Sequence, residues 1–256
     1  MPFATNDGVR IHYVVEGSGP PLVLQHWSLT SLDGWYDHKV IEALAEDHTA
    51  IAVDARGHGR SDAPHDPAAY DLRHRVGDIV AVLDALDIDR AHYYGYSMGG
   101  WIGFGAAKYT PERFRSIAIG GQHPYAQDLS ALRELAAIGV REGPSAFVKT
   151  LVEVFGGWPE AQKARWLEAD FEAYVAAARD RESLEDVLPT IHVPCLLIVG
   201  SEDAACAPAE EAAASIPGAR IEILPGLDHG GVLGRSDLVV PLLRDFIRGA
   251  EREAAC

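Results

Sequence analysis

Short apolar runs alternate along the chain with longer segments whose apolar residues recur at helical spacing. The short runs are IHYVV (11–15), PLVLQ (21–25), TAIAV (49–53), AHYYGY (91–96), SIAIG (116–120), PCLLIV (194–199) and RIEIL (220–224). Several are apolar almost throughout, which is typical of parallel strands covered on both faces by helices. The pattern predicts an α/β fold in which helical crossovers join mostly parallel strands. The first strands follow one another without a helix, which predicts an antiparallel edge.

Residues 122–189 interrupt this alternation. They contain no convincing strand, and three stretches within them have helical periodicity: DLSALRELAAIGV (128–140), SAFVKTLVEVF (145–155) and EAQKARWLEADFEAYVAAARD (160–180). Strand and helix alternate again from Val193 onward. We therefore predict a helical lid at 122–189, inserted into a core formed by 1–121 and 190–256 and covering the carboxyl edge of the sheet.

Charge and composition limit the partners. The 256-residue chain has 22 Lys and Arg against 38 Asp and Glu, a formal charge of −16 at pH 7, which argues against nucleic acid or an anionic membrane as a partner. No apolar run approaches the roughly 20 residues that span a bilayer, and the N-terminus has no secretory signal pattern. Cys195, Cys206 and Cys256 form no Cys-x-x-Cys pair. These features predict a cytoplasmic protein with reduced thiols.

The strongest chemical signal is the sequence GYSMG (95–99), a Gly-x-Ser-x-Gly between a predicted strand and a helix rich in small residues. A sharp strand-to-helix turn holds such a serine in a strained conformation and exposes its hydroxyl. The glycines are needed because a Cβ at those positions would strike neighbouring backbone. The setting therefore predicts that Ser97 is a nucleophile.

A serine hydroxyl needs a base, and the base needs an acid to orient it. In sheets with this motif the chain order is serine, acid, histidine. Asp203 follows the apolar run 194–199, and the adjacent Glu202 is an alternative acid. Of the eleven histidines only His229 lies after Asp203, in a Gly-rich loop behind the next run. We therefore predict a catalytic triad of Ser97, His229 and Asp203.

The segment VDARGHGRSDAP (53–64) and the serine motif together resemble the α/β-hydrolase superfamily over essentially the whole chain. The resemblance implies a mostly parallel, eight-stranded, doubly wound sheet with a helical lid. The small lid is similar to that of bacterial carboxylesterases, enol-lactone hydrolases and cofactor-free haloperoxidase-like esterases. A serine nucleophile argues against the carboxylate-dependent epoxide hydrolases and haloalkane dehalogenases. On this resemblance His58 is structural, and Arg56 and Asp62 fix loops by charge-assisted hydrogen bonds.

The same resemblance locates an oxyanion hole, in which each backbone donor is worth about 3 kcal/mol. One donor is the N–H of Met98, directly after the nucleophile. Relatives supply the other from a His-Gly-x loop, which maps onto His26, Trp27 and Ser28, so the second donor is Ser28. Trp27 replaces the glycine. Either its indole packs between sheet and helix or borders the pocket while the backbone path survives, or the loop is rebuilt and the donor shifts.

The predicted function is hydrolysis of a small ester or lactone through an acyl-enzyme, without metal or organic cofactor. Two alternatives remain: a carbon–carbon bond hydrolase with the same triad, and a ligand-binding or signalling protein with a nearly silent one. The protein is expected to be a monomer or homodimer. Five residues are predicted to contact substrate: His26, Trp27, His123, Tyr125 and Trp158. Trp27→Gly is expected to change substrate preference more than stability.

Overall fold

The computed structural model describes residues 2–156 and 158–254, and an eight-stranded sheet forms its centre. The strands are β1 (Phe3–Asn6), β2 (Val9–Glu16), β3 (Pro21–Gln25), β4 (Thr49–Val53), β5 (Ala91–Tyr96), β6 (Phe114–Gly120), β7 (Cys195–Gly200) and β8 (Arg220–Leu224). Their order across the sheet is β1-β2-β4-β3-β5-β6-β7-β8. Strands β3 to β8 run parallel, and β2 is antiparallel to both β1 and β4. The predicted eight-stranded, mostly parallel sheet is confirmed.

The strand prediction differs from the structure at the antiparallel edge. Strand β1 was not among the apolar runs, because only Ala4 of its four residues is buried. The first two apolar runs, β2 and β3, do not pair with each other, since β4 lies between them. The antiparallel edge therefore consists of β1 and β2, while β3 lies inside the parallel part of the sheet.

The described residues also form α-helices, several of which share an apolar core with one or the other face of the sheet. They are α1 (Asp33–Asp37), α2 (Val40–Leu44), α3 (Leu72–Ala85), α4 (Met98–Tyr109), α5 (Ser130–Glu142), α6 (Pro144–Phe155), α7 (Glu160–Leu167), α8 (Phe171–Ala177), α9 (Cys206–Ser215), α10 (His229–Leu233) and α11 (Ser236–Ala254). Helices α3, α4 and α9 share one apolar core with the sheet, and α1, α2 and α11 share the other. Successive strand residues alternate between the two: Tyr93 belongs to the first core and Tyr94 to the second.

The segment between β6 and β7 contains α5 to α8, which we call the cap helices. The predicted helix over 160–180 is two helices here. Asp170 accepts a hydrogen bond from the Ala173 N–H at 3.0 Å and so caps a new N-terminus. An antiparallel bridge between Gln127 and Arg181 joins the two ends of the segment. The division into a core and a lid stays a prediction.

The cap helices enclose an apolar cluster of their own, the cap cluster, formed by Leu29, Ala136, Phe147, Leu151, Trp166, Phe171 and Tyr174. Close packing holds it together, since a Cβ at Gly139 of α5 would lie 2.2 Å from the Phe171 ring. Leu29 is the member that comes from outside the cap, in the loop after β3. Trp166 Nε1 also donates a hydrogen bond to the Leu29 carbonyl. That loop is therefore fastened to the cap by both its side chain and its backbone.

Two of the three cysteines lie in the described part of the chain. Cys195 is buried in β7, Cys206 is half-buried at the start of α9, and both are free thiols. Burial raises the pKa of Cys195 to about 12, so that thiol stays protonated near neutral pH. Cys256 lies outside the described residues. Within residues 2–156 and 158–254, no helix has both the length and the apolar character needed to cross a membrane.

Candidate active site

Loops that follow four of the strands carry the predicted catalytic and oxyanion residues. Ser28 follows β3, Ser97 follows β5, Asp203 follows β7 and His229 follows β8. These four strands are parallel, so their carboxyl ends meet at one edge of the sheet, where ligands of such folds bind. The topology therefore gathers four residues that are widely separated in sequence.

Ser97 occupies the turn between β5 and α4. Its φ is 52° and its ψ is −108°, a conformation that costs a residue with a Cβ about 1–3 kcal/mol. A Cβ at Gly95 would lie 2.2 Å from the Gly99 carbonyl oxygen, and one at Gly99 would lie 2.1 Å from the Gln25 carbonyl oxygen. The Ser97 N–H donates to the Gly120 carbonyl at 2.8 Å, which ties the turn to β6. The two motif glycines are thus sterically required by this strained turn.

Asp203 and His229 are hydrogen-bonded to each other, with 2.8 Å between Oδ2 and Nδ1. The other carboxyl oxygen of Asp203 accepts the Ala205 N–H at 2.9 Å. Burial raises the pKa of Asp203, but the hydrogen bonds to its carboxylate and the charge of His229 lower the pKa by more than burial raises it. The pKa of Asp203 therefore lies below its usual value. Asp203 is therefore a carboxylate near neutral pH. Glu202, the alternative acid, is exposed to solvent.

The His229 ring lies beside the strand ends that carry Ser97. Tyr96 donates its hydroxyl to the His229 carbonyl at 2.6 Å, and the two ring centroids are 5.3 Å apart. A Cβ at Gly121 would lie 3.1 Å from Cε1 of His229. Because Nδ1 donates to Asp203, Nε2 is the nitrogen left to act as a base. The His229 side chain is 47% exposed, so this side of the site opens to solvent.

Met98 and Ser28, the predicted oxyanion donors, border the same cavity. Met98 is the first residue of α4, so its N–H is one of those that a helix leaves without an internal acceptor. The N-terminal end of the helix dipole also favours negative charge at this position. The cavity is small and partly open to solvent. We call it the oxyanion-side cavity.

His26 supports the loop that carries Ser28 instead of lining the cavity. It is fully buried, its Nδ1 donates to the Trp27 carbonyl at 2.7 Å, and its Nε2 accepts the Ala55 N–H at 3.0 Å. Burial is the main reason that the pKa of His26 is lowered, which favours the neutral ring. The ring thus joins the loops after β3 and β4. That His26 contacts substrate stays a prediction.

Trp27 packs between the sheet and α1. It is 8% exposed, and its ring centroid lies 5.3 Å from that of Trp35 and 6.3 Å from that of Tyr96, edge to face in both cases. A Cβ at Gly34 would lie 2.7 Å from the tip of the indole. Of the two structures considered for this loop, the geometry matches the one in which the backbone path survives and the indole enters the sheet–helix packing.

The other predicted pocket residues do not line the oxyanion-side cavity. His123 is half-buried, its Nε2 accepts a hydrogen bond from Gln127 at 3.0 Å, and its ring centroid is 5.7 Å from that of Tyr125. Trp158 packs against Trp166, with 5.1 Å between ring centroids. None of the five predicted pocket residues lines this cavity, and their contact with substrate stays a prediction.

The predicted triad residues do not line the cavity either: Ser97, Asp203 and His229. The cavity meets the candidate active site at the predicted oxyanion donors, Ser28 and Met98. Its other lining residues include His58, Trp101, Arg75 and Arg181. The position of Arg75 on α3 and of Arg181 after α8 was missed by the sequence reasoning. No motif surrounds either arginine, and their inward position depends on how the cap helices pack.

The loop after β4 is held by ion pairs. Arg56 binds Asp78 with Nε and Nη2 at 2.7 and 2.6 Å, and both side chains are buried. Asp62 accepts hydrogen bonds from the exposed Arg10. His58 Nδ1 donates to the Arg56 carbonyl at 3.1 Å, and burial lowers the pKa of His58 well below its usual value. His58 is therefore a neutral wall residue. Across the described ranges, no three His, Cys, Asp or Glu side chains are grouped so as to hold a metal ion.

Comparison with known proteins agrees with the α/β-hydrolase fold. The family described as alpha/beta hydrolase fold matches residues 20–239. A Bacillus subtilis candidate 2-succinyl-6-hydroxy-2,4-cyclohexadiene-1-carboxylate synthase is 28% identical, over 94% of this chain and 96% of that protein. A candidate carbamate hydrolase RutD from Pseudomonas syringae pv. syringae is 30% identical, over 76% of this chain and 80% of that protein. The crystal structure of the enol-lactonase from Burkholderia xenovorans LB400 has a TM-score of 0.84 and 27% identity, covering 96% of this chain and all of that one.

Proposed function

The chain belongs to the α/β-hydrolase fold family and is an enzyme of that fold, and on that premise we propose that it cleaves a carboxylic ester or lactone through an acyl-enzyme on Ser97. The observation that carries the proposal is the Asp203–His229 hydrogen bond beside the strained Ser97 turn. Similarity to an enol-lactonase over nearly the whole chain supports the lactone part of the substrate class.

The proposed reaction uses each of these groups in turn. His229 Nε2 removes the proton from the Ser97 hydroxyl as its oxygen attacks the carbonyl carbon. Asp203 keeps Nδ1 protonated and stabilises the imidazolium that forms. The N–H groups of Met98 and Ser28 donate hydrogen bonds to the carbonyl oxygen as negative charge develops on it. His229 then protonates the leaving alkoxide.

Deacylation repeats the sequence with water. His229 removes a proton from a water molecule, which attacks the acyl carbon. His229 then gives this proton to the Ser97 oxygen as the acyl bond breaks, which releases the acid and restores free Ser97. Exposure of His229 on one side gives water a direct path to the base. For a lactone, the alkoxide and the acyl group belong to one product, which is a hydroxy acid or its tautomer.

The test is hydrolysis of p-nitrophenyl acetate and butyrate. Ser97→Ala is expected to lower kcat/KM by at least about 10³-fold, because the nucleophile is lost. Ser215→Ala, at an exposed position near the end of α9, is the matched control and should retain wild-type activity. A phosphonate should label Ser97 in the wild type. Equal activity in the wild type and Ser97→Ala would contradict the proposal.

The same assay panel separates the alternatives. Lactones and a diketone are included with the esters. Faster cleavage of the diketone than of any ester or lactone would assign the triad to carbon–carbon bond hydrolysis. Tight binding of a compound together with negligible Ser97-dependent turnover of every substrate would indicate a binding protein.

A further inference from the structure

Two arginines are buried at the oxyanion-side cavity without an acidic partner. Arg75 is 4% exposed and Arg181 is 7% exposed. Both line the cavity together with Ser28 and Met98. In the part of the chain that the structure describes, neither guanidinium makes an ion pair with an Asp or Glu. Burying a charged group without an ion-pair partner costs free energy, and both guanidinium groups carry that cost.

The Arg75 guanidinium donates hydrogen bonds to neutral and weak acceptors. Its Nε donates to the Tyr70 carbonyl at 3.0 Å and its Nη2 to the Ala177 carbonyl at 2.7 Å. Its Nη1 lies 3.1 Å from the Met98 sulfur, which is a weak acceptor. These contacts fix the plane of the guanidinium without neutralising its charge. They also place it directly against the residue whose N–H is the proposed oxyanion donor.

Arg181 is held even more loosely by polar groups. Its Nη1 donates to the Gln127 side-chain oxygen at 2.6 Å, and its guanidinium lies 5.0 Å from the centroid of Trp101. A guanidinium has five N–H donors, and this hydrogen bond is the one that its side chain makes to any described residue. The Trp101 ring supports one face of the cation. The rest of the group borders the cavity.

Nearby acidic side chains are already committed elsewhere. The charge of Asp78 attracts Arg75, but the Asp78 carboxylate is hydrogen-bonded to Arg56 and not to Arg75, and Asp71 is paired with the more exposed Arg179. Burial is the main reason that the pKa of Arg75 falls to about 10 and that of Arg181 to about 9, and both remain cationic at neutral pH. The cavity therefore carries two positive charges in a chain whose net charge is −16.

We propose that this cavity binds a carboxylate of the substrate, so the proposed ester or lactone carries a second, unreacting carboxylate held by Arg75 and Arg181. A guanidinium matches a carboxylate with two parallel N–H donors, which is the strongest neutral-pH pairing available to it. Because Arg75 touches Met98, the carboxylate lies a short spacer away from the scissile carbonyl. The inference rests on the proposed function for the identity of that carbonyl.

The first experiment compares two esters of the same length. Mono-p-nitrophenyl adipate keeps a free carboxylate, and its methyl ester is the neutral match. After subtraction of the rate without enzyme, the wild-type kcat/KM is expected to be at least about 10-fold higher for the charged ester, as charge-assisted hydrogen bonds require. Equal values or a preference for the neutral ester would overturn the inference.

Variants identify the groups responsible. Arg181→Gln and Arg75→Gln are each expected to lower the ratio of charged to neutral kcat/KM by about 10-fold or more. Arg133→Gln is the matched control, because it removes one positive charge from α5 whose partner is Asp180. Its ratio should stay within about threefold of the wild type. A ratio that falls equally in the control would show a general charge effect and contradict a specific carboxylate site.

A binding measurement separates failure of the inference from failure of the proposed function. Adipate should raise the Tm of Ser97→Ala, which cannot turn over substrate, and should not raise the Tm of the double variant with Arg181→Gln. Ser97-dependent cleavage of neutral esters with no Tm rise would overturn the carboxylate site alone. A Tm rise that depends on Arg181, without Ser97-dependent cleavage of any ester, would support the carboxylate site and refute the hydrolase.

Discussion

Replacement of Trp27 by alanine tests how the loop after β3 is built. The indole is 8% exposed and lies edge-on to Trp35 and Tyr96. A buried tryptophan covers about 150–250 Å², which at about 25 cal/mol per Å² corresponds to about 4–6 kcal/mol as an upper limit. Measured losses for such truncations are about 3–5 kcal/mol. We expect Trp27→Ala to fall in that range, because Gly34 at the ring tip has no side chain to fill the space.

The measurement is urea unfolding together with substrate selectivity. A loss of about 3–5 kcal/mol corresponds to a fall in Tm of about 6–20 °C for a chain of this size. The relative kcat/KM for esters of different acyl length should stay within about threefold of the wild type, because the indole does not border the oxyanion-side cavity. Trp101→Ala is the comparison variant. Trp101 lines the cavity, so its loss should change that selectivity.

The opposite outcome would refute this reasoning. If Trp27→Ala kept its Tm within about 2 °C of the wild type and changed acyl-length preference more than Trp101→Ala does, the indole would border the substrate. From the packing of the indole we thus expect the opposite of the prediction from sequence, which was that a small residue at position 27 would alter preference more than stability.

Three further predictions concern the charged groups. Asp203→Asn should lower kcat by about 10⁴-fold, because the imidazole loses its orienting acceptor, whereas Glu202→Gln should change it little; the reverse order would make Glu202 the acid. Arg56→Ala leaves the buried Asp78 without its ion-pair partner, although Asn6 still donates a hydrogen bond to it, and should reduce the free energy of unfolding by about 3–5 kcal/mol in urea; a loss near zero would contradict this. The pKa of Asp203 is lowered in the folded state, so its stabilising contribution is fully present above the unfolded value of about 4 and is lost as pH falls through the folded pKa. Tm should therefore fall more steeply below pH 4 in the wild type than in Asp203→Asn; parallel curves would contradict this.

The gathering of Ser97, Asp203 and His229 at one sheet edge could be predicted because each carries a local signal. Ser97 lies in a glycine motif that steric contact enforces, and the other two directly follow apolar runs that became β7 and β8. Parallel strands then bring their following loops together without further information. The positions of these three residues relative to the predicted strands were therefore sufficient to predict that they lie at the same edge of the sheet.

The cavity could not be predicted in the same way. Arg75 is buried because its Nη2 reaches the Ala177 carbonyl, 102 residues away in sequence. An arginine on a helix is normally a solvated residue, and no neighbour of Arg75 in the sequence indicates otherwise. The direction of the Trp27 indole could not be predicted either, since it depends on the space left by the glycine at position 34. Strand β1 was missed because its four residues alternate in burial and leave no apolar run.

Leu29 couples the position of the cap helices to the position of Ser28, the proposed oxyanion donor. It directly follows Ser28, has a left-handed φ of 61°, buries its side chain in the cap cluster and accepts a hydrogen bond from Trp166. A cap that swings away from the sheet must either break these contacts or carry Leu29 with it. If the cap moved in this way, the proposed Ser28 donor would be displaced together with Leu29, and closure would restore it. In that open state the proposed oxyanion hole would lack one of its two donors, so the reaction would require a closed cap.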